Sequence, residues 1–193
     1  MNICVYGAAS KIISDVYINE TYKLGAKLAQ RGHKLVFGGG GAGVMGAVAK
    51  GVFDNNGDSI GVVPTFFNID GILFDSCTKM IRTETMRERK KAMEDNADAF
   101  IVAPGGIGTF DEFFEILTLK QLGRHNKPIA VFDVNNYYDA LDKFMENTVN
   151  ENFMPRSSKG LYKMFTNLDN LFDYIENYKE TPKNIFELRY ANK

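Results

Sequence analysis

Two short stretches of this sequence carry residues that can do chemistry at a fixed spacing. The first is Pro104-Gly105-Gly106-Ile107-Gly108-Thr109-Phe110-Asp111-Glu112. Its glycines leave backbone amides bare, Thr109 adds a hydroxyl, and a helix expected from Phe110 adds the partial positive charge of a helix N-terminus. Together these form an anion site, and a purely structural turn rarely requires glycine at three of four positions. Glu112 follows at once. Thr109-x-x-Glu112 fits a capping box, in which the carboxylate serves the helix end. The same carboxylate beside a bound anion suits catalysis, because it stabilises positive charge that develops in a transition state. From the residues alone the two readings weigh equally. Glu115, one turn on, brings a second carboxylate near and raises a pKa by repulsion.

The second stretch is Thr85-Met86-Arg87-Glu88-Arg89-Lys90-Lys91-Ala92-Met93. Arg89 and Lys90 follow Met86 by three and four residues and precede Met93 by four and three, so they share the apolar face of a helix. Arg87, Glu88 and Lys91 turn outward. A cation on a buried face needs an anion, from the protein or from a ligand, and we read this pair as facing a ligand.

A glycine stretch, Phe37 to Gly46, is the third feature. Gly41-x-Gly43-x-x-Gly46 formally matches a dinucleotide fingerprint. Two features argue against NAD. The stretch follows the second strand of the chain, and the next strand ends Val62-Val63-Pro64-Thr65 without an acid for a ribose diol. Gly39, Gly40 and Gly41 are read instead as phosphate or ribose contacts, against the alternative of a tight turn with close helix–sheet packing. No metal site is expected, since His33 and His125 lack a second ligand at useful spacing. Neither G-x-S-x-G nor a Walker A motif occurs.

These motifs need a scaffold, and the sequence supplies one. Apolar runs at Ile3–Tyr6, Lys34–Phe37, Ser59–Val63, Ala99–Ala103 and Ile129–Phe132 read as parallel strands covered on both faces. Helical patterns lie between and after them: Asp15–Arg31, Val44–Asn55, Met86–Asn96, Phe110–Leu122 and Tyr137–Asn150. Ser14 is placed to open the first, and Gly32 and Gly57 to close the first and second. Lys163–Phe165 and Leu168–Tyr178 add one strand and one helix. Alternating strand and helix predict a single-domain, Rossmann-like α/β fold with a doubly wound parallel sheet over residues 1–178. A polar tail follows at 179–193, which Ile185, Phe186 and Leu188 dock back. Ligands of such folds bind outside the carboxyl ends of the strands, where three small-residue turns gather: Gly7–Ser10, Gly38–Gly43 and Pro104–Thr109.

Bulk properties narrow the partners. The 193 residues include 23 basic and 24 acidic ones, a net charge of −1, so a global basic footprint for nucleic acid is absent. No run is long and apolar enough to span a bilayer, and no signal segment is read at Met1–Tyr6. Cys4 and Cys77 read as core thiols, which fits a cytoplasmic protein.

The same motifs, in order, resemble those of the LOG (Lonely Guy) family, the cytokinin riboside 5′-monophosphate phosphoribohydrolases. That family's signature is Pro-Gly-Gly-x-Gly-Thr-x-x-Glu, here Pro104 to Glu112, after a helix bearing Met-x-x-Arg-Lys, here Met86, Arg89 and Lys90. Phe37 to Gly46 is similar to its glycine stretch, and similarity runs from about Asn2 to Tyr178, through Gln121-Leu122-Gly123 and Lys127-Pro128. Members are often labelled lysine decarboxylases, yet nothing here resembles a pyridoxal-phosphate site.

The resemblance implies hydrolysis of the N-glycosidic bond of AMP or an N6-modified AMP, with no cofactor, in a homodimer. It implies Arg89 and Glu112 as the catalytic pair, the phosphate on Gly105, Gly106, Ile107, Gly108 and Thr109, and Lys90 and Thr118 beside the substrate. Met86, Phe110, Asp111 and Ser10 complete the candidate substrate-binding set. The apolar stripe Ile116, Leu119 and Leu122 is expected at the dimer interface. Two positions depart from the family. Its usual Gly-Ser-Ser turn is Gly7-Ala8-Ala9 here, with Ser10 displaced by one, and Arg87 stands where His is common. An acidic substrate contact upstream falls nearest Asp70. The alternative reading is a non-catalytic nucleotide or molybdenum-cofactor binding protein on the same scaffold; the pairing of Arg89 with Glu112 favours the enzyme.

Overall fold

Seven parallel strands form one sheet: β1 (Asn2–Tyr6), β2 (Lys34–Phe37), β3 (Ser59–Pro64), β4 (Lys79–Thr83), β5 (Ala99–Val102), β6 (Ile129–Phe132) and β7 (Lys163–Phe165). The computed structural model describes residues 1–67 and 72–179. Strand order is β4-β3-β2-β1-β5-β6-β7. The chain therefore builds outward from β1 to β4, then returns to place β5 against the other side of β1. That reversal opens a crevice at the carboxyl ends of β1 and β5, the usual ligand position in a doubly wound sheet.

Six helices cover the sheet: α1 (Asp15–Gln30), α2 (Gly43–Asp54), α3 (Met86–Asp95), α4 (Ile107–Gln121), α5 (Asp139–Asn150) and α6 (Leu168–Glu176). Alternation along each strand divides the core in two. Ile3, Val5, Leu35 and Phe37 pack with Leu24 and Leu28 of α1, Val48 and Val52 of α2, and Leu171 and Phe172 of α6. Cys4, Tyr6, Val36 and Val62 pack on the other face with Met93 of α3, Phe113, Ile116 and Leu117 of α4, and Met145 of α5. Both faces of every central strand are thus buried, which explains why those strands read as unbroken apolar runs.

The expected single-domain α/β architecture is the one observed. Several boundaries differ. β4 was not expected: it pairs with β3 alone, and Lys79 and Arg82 interrupt its apolar residues, as suits an edge strand. Gly32 takes a left-handed φ after α1, but after α2 that conformation falls to Asn56 and not to Gly57. Ser14 occupies the N-cap of α1 without a side-chain cap bond. Most consequentially, α4 begins at Ile107 with Gly106 as N-cap, one turn earlier than the Phe110 start. Asp70 and the expected docking of Ile185, Phe186 and Leu188 lie outside the described residues.

Candidate active site

A cleft of about 470 Å³ opens at the carboxyl edge of the sheet, between the turns after β1, β2 and β5 and the start of α3. Its size suits a nucleotide-sized ligand. The earlier start of α4 decides the role of Glu112. Thr109 lies inside the first turn and caps nothing, and Glu112 sits in the second turn with its side chain directed inward. The capping-box reading of Thr109 and Glu112 is thereby excluded. A capping box does exist one helix earlier: Thr85 Oγ1 accepts from Glu88 N–H at 3.2 Å, and Glu88 Oε2 accepts from Thr85 N–H at 3.3 Å. That box fixes where α3 starts and so fixes the phase of Arg89, one residue further on.

Arg89 and Glu112 form a buried pair. Arg89 Nη1 donates to Glu112 Oε1 at 2.8 Å, and Arg89 Nε donates to Val62 O at 3.2 Å. Arg89 is 6% exposed and Glu112 7%. Burial pushes the Glu112 carboxyl above the usual glutamate range, against the opposing pull of the Arg89 guanidinium; Asp111 adds a smaller upward push. Burial, and not the expected repulsion from Glu115, is the main cause of that rise; Glu115 is paired with Lys90 at 2.6 Å. Gly38 makes room for the pair: a Cβ there would stand 1.9 Å from Arg89 Nη2. Gly105 does the same for Thr109, whose Oγ1 lies 2.0 Å from where a Cβ would stand.

Of the expected site residues, Ser10, Gly40, Met86, Arg89, Gly106, Gly108, Thr109, Asp111 and Glu112 line the cleft together. Others do not. Lys90 does not line the cleft: it is held between Asp111 at 3.0 Å and Glu115 at 2.6 Å, so the anion its charge meets is supplied by the protein and not, as expected, by a ligand. Burial lowers its pKa, but the two carboxylates outweigh burial and raise it. Thr118 is exposed on α4 beyond Glu112, about 9 Å along the helix axis, and it does not line the cleft of its own chain. Ile107 is 89% exposed, and Phe110 packs edge-on against Tyr138.

The glycine turn after β2 also needs correction. Gly41 N–H donates to Ile72 O at 2.8 Å, and Gly40 N–H meets Met45 Sδ at 3.2 Å. Those amides are consumed by the protein. Gly39 takes φ +74° and sends its carbonyl to Phe74 N–H. The stretch is a tight, cross-braced turn that shapes the cleft wall; Gly38 and Gly40 face the opening, and Gly39 and Gly41 do not.

Phe113, Ile116 and Leu117 form the buried face of α4, whereas Phe114 is 37% exposed. Ile116 is therefore unavailable to an interface. The residues that sequence reasoning missed are apolar: Met45, Val63, Phe67, Ile72 and Leu73 form one wall of the cleft. Pro64-Thr65-Phe66-Phe67 leaves β3 at the same sheet edge as the glycine turns, and that position was the available signal.

Comparison with known proteins agrees with this architecture. The family model described as possible lysine decarboxylase matches residues 45–175. The cytokinin riboside 5′-monophosphate phosphoribohydrolase LOG2 of Arabidopsis thaliana is 34% identical over 91% of this chain and 83% of its own length. A probable enzyme of the same name, LOGL3 of Oryza sativa subsp. japonica, is also 34% identical, with the same coverage. Among solved structures, the molybdenum cofactor binding protein of Rippkaea orientalis aligns with TM-score 0.70 at 22% identity, covering 91% of this chain and 94% of that one. The molybdenum cofactor carrier protein of Chlamydomonas reinhardtii gives the same TM-score at 20% identity, covering 91% and 95%. At that identity the likeness is one of fold. The sequence relatives reach further, and on them the chain belongs to the LOG family.

Proposed function

We propose that this protein hydrolyses the N-glycosidic bond of a nucleoside 5′-monophosphate, AMP or an N6-modified AMP, to free base and ribose 5-phosphate. The observation that carries this reading is the buried Arg89–Glu112 pair opening on a cleft that ends at the N-terminus of α4. The 5′-phosphate rests on the Gly106–Thr109 segment, where first-turn amides point out of the helix. The ribose lies over Glu112, and the base lies against Phe67, Ile72 and Met86. As the glycosidic bond breaks, the ribose gains oxocarbenium character, which the Glu112 carboxylate stabilises while it orients the attacking water. Arg89 keeps that carboxylate ionised despite its burial and holds its direction. Only water and these side chains take part.

A molybdenum-cofactor or nucleotide carrier on the same scaffold is the second reading, supported by the fold of its neighbours alone. A buried carboxylate beside an anion's phosphate weakens simple binding, which favours turnover. We further propose a cytoplasmic homodimer, with residues 1–178 as the hydrolase domain. Two free cysteines support a reducing compartment, and the exposed apolar residues Ile107 and Phe114 of α4 support self-association.

Chromatography of an AMP incubation tests the central reading. Adenine and ribose 5-phosphate should appear without added metal or NAD, and adenosine should be a much poorer substrate. Equal turnover of adenosine and AMP would overturn the phosphate assignment.

A further inference from the structure

Three successive carbonyls in the turn between β5 and α4 are tied down from outside the turn. Ala103 O accepts from Tyr138 Oη at 2.7 Å, Pro104 O from Ala8 N–H at 3.2 Å, and Gly105 O from Tyr137 Oη at 2.8 Å. In a trans peptide the carbonyl of one residue and the N–H of the next point in opposite directions. Fixing Pro104 O therefore aims the Gly105 N–H, and fixing Gly105 O aims the Gly106 N–H. The Ala103 carbonyl aims nothing, because the next nitrogen belongs to proline.

The Gly105–Gly106 peptide is the one most in need of such a hold. Neither residue has a side chain to resist rotation of the peptide plane. Tyr137 is not among the residues that line the cleft, and its ring is braced edge-on by Tyr17 at 5.6 Å and Tyr138 at 5.0 Å. With Gly105 O drawn toward Tyr137, the Gly106 N–H points away from Tyr137, and Gly106 itself lines the cleft. Among the described residues no acceptor meets that N–H.

We propose that Tyr137 is a positioning residue for phosphate recognition: its hydroxyl locks the Gly105–Gly106 peptide so that the Gly106 amide is presented to the 5′-phosphate. Tyr138, the adjacent residue with an equivalent hydrogen bond, serves packing alone. The inference rests on the proposed placement of the phosphate and deepens it, by naming a residue outside the cleft that sets the strength of phosphate binding.

Paired variants test it. Tyr137→Phe keeps the ring and its braces and removes only the latch. It should raise KM for AMP by about three- to tenfold, weaken ribose 5-phosphate binding by calorimetry to the same extent, and leave kcat within about twofold. Its kcat/KM on adenosine should match the parent. Tyr138→Phe should lower Tm more, because its hydroxyl is buried, while the ratio of AMP to adenosine turnover stays parental. An unchanged AMP to adenosine ratio in Tyr137→Phe overturns the inference. So does an equal shift in both variants, which is general loosening of the turn. If the parent protein itself does not prefer AMP, the phosphate placement falls and the inference with it; a parent that prefers AMP beside an indifferent Tyr137→Phe removes the inference alone.

Discussion

Arg89 and Glu112 meet 2.8 Å apart between α3 and α4, each side chain less than a tenth exposed. Neither helix buries its charge alone. An uncompensated ion in this setting costs several kcal/mol on the order of magnitude, so each residue is the condition for the other's burial. A surface ion pair would be dispensable. This one is a structural unit whose carboxylate also faces the cleft, so stability and chemistry are coupled at one contact.

That coupling gives a pH signature. Burial raises the Glu112 pKa above its ordinary 4.5. The proposed reaction needs the carboxylate, so kcat/KM should fall as pH drops through the raised value, with the acid limb above the range of an ordinary glutamate. The substrate phosphate also titrates, at about pH 6. Ribose 5-phosphate affinity across the same pH range reports that group alone, and a kcat/KM limb that merely follows it would sink the assignment to Glu112.

Gly38 should be indispensable without touching the substrate chemistry itself. A methyl there occupies the space of Arg89 Nη2. Gly38→Ala should therefore displace the guanidinium and cut turnover by about a hundredfold, the usual scale for a misplacement near 1 Å. Parental kinetics in Gly38→Ala would mean that Arg89 need not lie where it does.

Thr85-x-x-Glu88 and Thr109-x-x-Glu112 look the same in sequence, and only the first is a capping box. The difference lies in where each helix begins. Thr85 follows a strand and faces solvent, whereas Gly106 and Ile107 already turn into α4, and Gly108 in its first turn disguises the helix as loop. Central strands were legible because burial on both faces leaves them unbroken apolar runs; β4, paired on one side only, lacks that mark. Arg89 was legible from its phase with Met93. Lys90 shares the phase, but its partners Asp111 and Glu115 come from a neighbouring helix, which no local spacing reveals.

Self-association should depend on the outward stripe of α4 and not on Ile116, which is buried within its own chain. Ile107 and Phe114, both exposed, lie two turns apart and so share one helical face. A charge placed on that face should split the dimer, so Phe114→Glu should sediment as a monomer at micromolar concentration, with the parent protein a dimer. A monomeric parent would remove the proposed interface.

The decisive variants are at Glu112, and the buried pair changes what they should do. Were Glu112 only a cap, Gln would serve as well, since its amide oxygen still accepts. Beside Arg89, Gln keeps a hydrogen bond but leaves a buried guanidinium without countercharge, so Glu112→Gln should lose roughly 3 kcal/mol of stability as well as activity. Loss of turnover in that variant alone therefore cannot separate fold from chemistry. Glu112→Asp can. It retains the charge that Arg89 requires while drawing the carboxylate back by about one methylene, roughly 1.5 Å, away from the reacting ribose. Stability should stay closer to the parent than in Glu112→Gln, and turnover should still fall by roughly two orders of magnitude. Arg89→Ala completes the set: it should destabilise the fold and depress turnover, by leaving the Glu112 carboxyl buried without its partner. Calorimetric melting beside initial rates on AMP reads both quantities. A Glu112→Asp protein that melts like the parent and turns over like the parent would assign Glu112 to the fold alone, and the mechanism would need another carboxylate.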